Sequence, residues 1–293
     1  MPLEPASPEH PQLPRLENPI FRVILYFIGL VGVIIFTDVF AYQLLIWGGV
    51  LSETTLTGNP HLEFSPVAML VLVSCRTVGV VLFTRWFCHR VEGRAWRTLG
   101  VDLRLGHLVQ GLVWGAGLIL VCAGLLQTLG NVTFRSGTSS AGVLMLYLLI
   151  FVFAGVMEEL VFRGYILGTL MERMDKYIAL GVSAFLFMML HIFNPNISQL
   201  GTINLTLAGF LLGIYYLHQR NIWFSVGMHV TWNFVQGPLL GFEVSGLELH
   251  ALYNPTLHGS DLLTGGKFGL EGSILLTVLM ILAAVYIHFQ FKE

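Results

Sequence analysis

Glu158 and Glu159 stand side by side in one of the most apolar stretches of this chain, with Arg163 four residues beyond the second. Two later apolar segments carry further polar side chains, Phe187-Met-Met-Leu-His191 and His229-Val-Thr-Trp-Asn233. Ionised groups at membrane depth are costly and are kept where they pair or perform a task. On a helix, Glu159 and Arg163 are i and i+4 and can form an ion pair. Glu158, about 100° round the same helix, is then left to face a cavity. A carboxylate in a low-dielectric setting binds its proton more tightly, which suits a general base acting on water. His229 and Asn233 are also i and i+4 and project the same way. Together these groups form a parts list for activating a water and stabilising an oxyanion.

Each segment also has a blander reading. Taken alone, Glu158, Glu159 and Arg163 are a polar cluster at the end of a span, snorkelling to the headgroups. His191 closes the apolar run Ala184–Leu190, and a single histidine near a helix end is more often an interfacial or hydrogen-bonded residue than a catalytic one. His229 with Asn233 reads as interhelical hydrogen-bonding glue. Their occurrence in three separate apolar segments is what points to a site.

The elements that must position these residues follow from composition. The chain is 55% hydrophobic and 11% charged, against about 25% charged in soluble domains, so it reads as an integral membrane protein. Its net charge of -2 gives no reason to expect a nucleic-acid partner. The three cysteines, Cys75, Cys88 and Cys122, are an odd, widely spaced set that argues against a disulfide framework or a thiolate metal site. A span needs about 20 mostly apolar residues. The expected spans are 21–48, 66–88, 107–130, 142–164, 177–194, 199–218, 222–241 and 269–290, giving an all-α polytopic bundle of about eight transmembrane helices. Gly111, Gly115, Gly117 and Gly124 are expected to let the third span approach its neighbours closely.

Residues 1–19 hold six of the eleven prolines and read as a disordered cytoplasmic tail, without the basic start and short apolar core of a cleavable signal peptide. The remaining regions are N-terminal membrane helices over 20–141, the segment that carries the polar constellation and is the candidate catalytic core over 142–241, and an outer loop with the last helix over 242–293. Threading alternate sides from a cytoplasmic N-terminus puts twelve basic residues inside, Arg163 among them, and only Arg135 and Lys267 outside. That bias predicts that both termini are cytoplasmic.

EExxxR, FxxxH and HxxxN in successive spans resemble the CPBP family of intramembrane proteases. That family includes the type II CAAX prenyl endopeptidases and bacteriocin-processing and immunity-associated proteins. The resemblance covers roughly residues 142–240 and implies a role for each matched residue. Glu158 looks like the water-activating carboxylate, assisted by His191, while His229 and Asn233 would hold an oxyanion or a metal. Glu159 and Arg163 would be the supporting pair, and Phe187 would shape the pocket. The implied reaction is hydrolysis of a peptide bond in a membrane-associated protein or peptide, prenylated CAAX proteins included, that enters from the bilayer.

Other protease chemistries lack their signatures. There is no HExxH, no GxSxG and no intramembrane aspartate pair. Glu158, His191, His229 and Asn233 could supply three or four ligands to zinc, and the same residues can run glutamate-assisted hydrolysis without metal. The rival class is a non-catalytic membrane protein, a transporter-like carrier or a scaffold or immunity protein, although the internal repeats common in transporters are not visible. Asp38 and Arg76 are expected to pair with each other, with lining a substrate route as the alternative, and Asn204 and Thr206 to form interhelical hydrogen bonds. The acids and histidines of the loop 242–268 are too irregularly spaced for a metal site, and a lid over the outer mouth is the alternative reading of that loop. One feature resists these spans: Glu158 falls toward the cytoplasmic end of its helix and His191 toward the opposite end of the next.

Overall fold

The computed structural model describes residues 17–51 and 64–292, so the expected tail lies outside the described residues except for its last three positions. The chain is an all-α bundle. Its main helices are α1 (Pro19–Trp47), α2 (Pro66–Trp86), α3 (Leu105–Thr128), α4 (Ala141–Glu159), α5 (Lys176–Met189), α6 (Gln199–Gln219), α7 (Trp223–Phe234) and α8 (Ile274–Phe291). Six of these starts carry an Asn, Ser or Asp cap whose side chain accepts from the first free amides: Asn18, Ser65, Ser140, Asp175, Ser198 and Ser273.

Among the described residues, six helices are long and apolar enough to cross a bilayer: 19–47, 66–91, 105–128, 141–170, 199–219 and 274–291. The expected eight are not reached among the described residues, because α5 and α7 are shorter than spans. The 14 residues of α5 cover about 21 Å, less than the roughly 30 Å of a hydrocarbon core. The helix that carries Glu158 departs in the opposite sense. It continues past the expected end at 164, through a π-helical stretch Leu160–Leu167, to Leu170. Glu158 is therefore near mid-helix, 13 residues before Met171 (171 − 158), and His191 follows Asp175 by 16 (191 − 175). A long arm and a short arm of similar reach return the histidine to the depth of the carboxylate, which removes the expected mismatch.

α3 and α7 touch backbone to backbone. A Cβ added at Gly111 would lie 2.0 Å from the Phe224 carbonyl oxygen, and one at Gly115 2.1 Å from that of Met228. The expectation for Gly117 and Gly124 is corrected, since an added Cβ there meets no neighbouring element within 4 Å. Gly155 on α4 packs against Val226 and Val230 of α7, which brings the helix of His229 alongside that of Glu158. At the arginine-rich end, buried Glu92 accepts from Tyr165 at 2.7 Å and pairs with Arg94 at 2.6 Å, and Glu172 pairs with Arg22 of α1. At the other end, β1 (Val132–Ser136) and β2 (Tyr253–Leu257) form an antiparallel ribbon, with Val132 opposite Leu257 and Ser136 opposite Tyr253. This ribbon falls partly inside the expected loop 242–268.

Candidate active site

Glu159 is fully buried at the last turn of α4, and the wider π-helical turns begin at the next residue. Such turns are rare and recur at functional sites. Arg163 lies within them and donates from Nη1 to Glu159 Oε1 at 2.9 Å and from Nη2 to the Gly209 carbonyl at 3.1 Å. With 1% exposure Arg163 is an interior residue. The snorkelling alternative and its place among the cytoplasmic cations are both overturned. Close contact of Gly209 with Ala184 sets α6 against α5 and holds that carbonyl within reach of the guanidinium.

His229 completes the buried cluster. Its Nδ1 lies 2.9 Å from Glu159 Oε1, so the carboxylate fixes a proton on Nδ1 and turns Nε2 the other way. That Nε2 stands 3.9 Å from Glu158 Oε2. His191, in the turn after α5, bonds through Nδ1 to the Phe187 carbonyl at 2.8 Å and presents Nε2 to the same Oε2 at 4.0 Å. Glu158 Oε2 is buried and has no hydrogen-bond partner among the described residues. Two imidazole nitrogens and one carboxylate oxygen thus converge at separations too long for a direct bond and suited to a bridging water. The Phe187 ring packs against His191 with centroids 4.8 Å apart, meets His229 edge-on at 6.2 Å, and carries Arg163 over its face at 4.6 Å. The expectation that Phe187 shapes the pocket rests on these contacts.

Asn233 is the outlier. It lies one turn beyond His229 on α7, half-buried, and shares no hydrogen bond with Glu158, Glu159, Arg163, His191 or His229 among the described residues. Nor is any group of three or more His, Cys, Asp or Glu among the described residues spaced to hold a metal ion. Away from the site, Arg76 binds Asp38 through two bonds of 3.0 and 2.8 Å, the expected pair. Asn204 reaches the Glu271 and Ser273 carbonyls and Thr277 of α8. Among the described residues Thr206 bonds only Thr202 of its own helix, so no interhelical tie is seen there.

Against known families, residues 140–235 match the model for type II CAAX prenyl endopeptidase Rce1-like proteins. This segment is an Rce1-like domain. It runs from the cap of α4 into the π turn after α7 and so contains Glu158, Glu159, Arg163, Phe187, His191, His229 and Asn233. No match was found among curated proteins. The family is one of endopeptidases, so the Rce1-like domain implies a protease within an integral membrane protein.

Sequence reasoning missed a second buried polar cluster beside this domain. Glu271, 4% exposed, accepts from Gln236 of the π turn Val235–Leu239 and from Ser245 of the outer loop. The signal was available: Glu271 and Gln236 both sit within expected spans, where the argument applied to Glu158 holds equally.

Proposed function

We propose that the chain is an intramembrane endopeptidase in which Glu158 activates a water that attacks the peptide carbonyl. The observation that carries this reading is the unpartnered, buried Glu158 Oε2 with the Nε2 atoms of His191 and His229 at 4.0 and 3.9 Å. A water between them donates one hydrogen to Glu158 and the other to a histidine. Glu158 removes the proton, the oxygen adds to the carbonyl carbon, and the carbonyl electron pair moves onto oxygen. His229, in the form protonated on both nitrogens, and the Asn233 amide donate to that oxyanion. Collapse breaks the carbon–nitrogen bond, and the proton held by Glu158 passes to the leaving amine. Glu159, already bound by Arg163 and His229, orients the histidine and is no base.

The substrate in this reading is a membrane-associated peptide or protein, CAAX-type prenylated chains included, entering sideways from the bilayer. Exposed Met189, Leu190, Ile192 and Phe193 flank His191 and offer an apolar approach. With Arg163 set aside, and Arg15 lying outside the described residues, ten of the twelve remain on the arginine-rich side, which supports a cytoplasmic placement of that side and of both termini.

The test is cleavage of quenched peptides, farnesylated and not, by purified protein in liposomes. Wild type is expected to cleave, and Glu158→Gln to lose activity by roughly 100-fold or more while melting as wild type does. Equal turnover by the two would remove Glu158 from the chemistry. Inhibition by a chelator, reversed by zinc, would replace the protein-only route with a metal-assisted one.

A further inference from the structure

The turn that bears His191 is held from outside the Rce1-like domain. Its backbone closes on itself, the Asn194 amide donating to the His191 carbonyl at 3.0 Å, and the Asn194 side chain donates to the Ser245 carbonyl at 3.2 Å. Ser245 sits in the left-handed region at φ 49°, which a residue with a Cβ adopts only when its surroundings impose it. Those surroundings are the Glu271 carboxylate, which accepts from the Ser245 amide at 3.3 Å and from its hydroxyl at 3.4 Å. Gly246, also left-handed, lies so close to the Pro195 carbonyl that an added Cβ would stand 1.9 Å from it.

The same carboxylate reaches the other half of the site. Gln236 is fully buried three residues after Asn233, and its Nε2 donates both to Glu271 and to the Glu243 carbonyl, the latter at 2.6 Å. Asn204 anchors the Glu271 backbone through its carbonyl at 2.7 Å. One buried acceptor thus joins the His191 turn, through Ser245, to the end of the helix that carries His229 and Asn233.

We propose that Glu271 is a positioning residue of the active site, holding the His191 turn and the His229–Asn233 helix in register. Its catalytic consequence rests on the protease reading above, whereas its structural consequence does not. A carboxylate suits the position because it offers only acceptors, and three donors surround it. Removing it frees Ser245 from its imposed conformation, and with Ser245 goes the bond to Asn194. The turn is short and exposed, with Phe193 at 95%.

The experiment combines amide hydrogen exchange with kinetics on the full chain in detergent or liposomes, for wild type, Glu271→Ala, Glu271→Gln and Asn194→Ala. Glu271→Ala should speed exchange at least about tenfold over 190–197 and 235–246 and leave α1 to α3 unchanged. It should lower kcat toward the roughly 100-fold that a misplacement of about 1 Å can produce, with KM nearly constant. Glu271→Gln, which keeps one acceptor, should recover part of kcat. Asn194→Ala cuts the tie at its other end and should reproduce the change over 190–197 even where Glu271→Ala fails to fold. Unchanged exchange over 190–197 in both Asn194→Ala and a folded Glu271 variant overturns the proposal. So does faster exchange with unaltered kcat. If wild type cleaves nothing, the protease reading fails by itself, and the exchange data still decide whether Glu271 holds the turn.

Discussion

Neighbouring carboxylates on one helix point about 100° apart, and here that angle separates a bonded group from an unbonded one. Glu159 Oε1 receives both Arg163 and His229, whereas Glu158 Oε2 receives neither. Replacing Glu159 by Gln leaves the guanidinium of Arg163 buried without its counter-ion. Breaking one partner of a buried pair typically destabilises by about 3–5 kcal/mol. Glu159→Gln should therefore lower the melting temperature sharply, and Glu159→Gln combined with Arg163→Met should regain much of it without regaining activity. A melting temperature of Glu159→Gln equal to wild type would mean that the pair does not hold the cluster. At this scale the sequence was informative, because charge in an apolar run is conspicuous and i, i+4 spacing fixes which side chains meet. It could not tell a buried Arg163 from a snorkelling one, since that depends on where the helix ends.

At the scale of elements, hydrophobicity places segments in the bilayer but does not say where a helix stops inside it. Leu190, Ile192 and Phe193 extend the apolar run beyond α5, so 177–194 reads as a span, although the helix ends at Met189. The π-helical turns after Glu159 and after Phe234 leave no clear trace in composition, and the loop strand β2 lacks strict alternation. Helix contacts were half legible: of the four glycines noted on α3, only Gly111 and Gly115 face α7. Gly115→Ala must push α3 off the Met228 carbonyl and should destabilise by about 1–3 kcal/mol. Gly117→Ala meets open space and should be neutral or stabilising by about 0.4–1 kcal/mol. Thermal unfolding of the two variants checks the contrast, and equal melting temperatures would mean that α3 and α7 are not in backbone contact. Because Met228 precedes His229, Gly115→Ala should also impair turnover beyond its effect on stability.

For the whole molecule, the outer segment, residues 241–273, forms a cap tied to the His191 turn through Ser245 and to the end of the His229 helix through Gln236, and one buried acid joins the two ties. Burial pushes the Glu271 carboxyl from 4.5 up to about 6, with hydrogen bonds from Gln236, its own backbone and Ser245 opposing the rise. A carboxyl raised above its unfolded value binds its proton more tightly when folded. Its protonated form therefore stabilises the cap, fully below about pH 4.5 and progressively less as pH rises through about 6. The loss is about 2 kcal/mol across that window. Glu243, the other acid of this cap that burial raises, is pushed up further by Glu248 and pulled back by Lys267, so it adds a slope of the same sign. Hydrogen exchange over 241–250 should accordingly quicken between pH 4.5 and 6 by more than the intrinsic chemistry requires. Glu271→Gln should keep only the smaller slope that belongs to Glu243. A wild-type profile identical to that of Glu271→Gln would show that Glu271 does not titrate in this window, and the cap would then owe its stability to Asn204, Gly246 and the β ribbon instead.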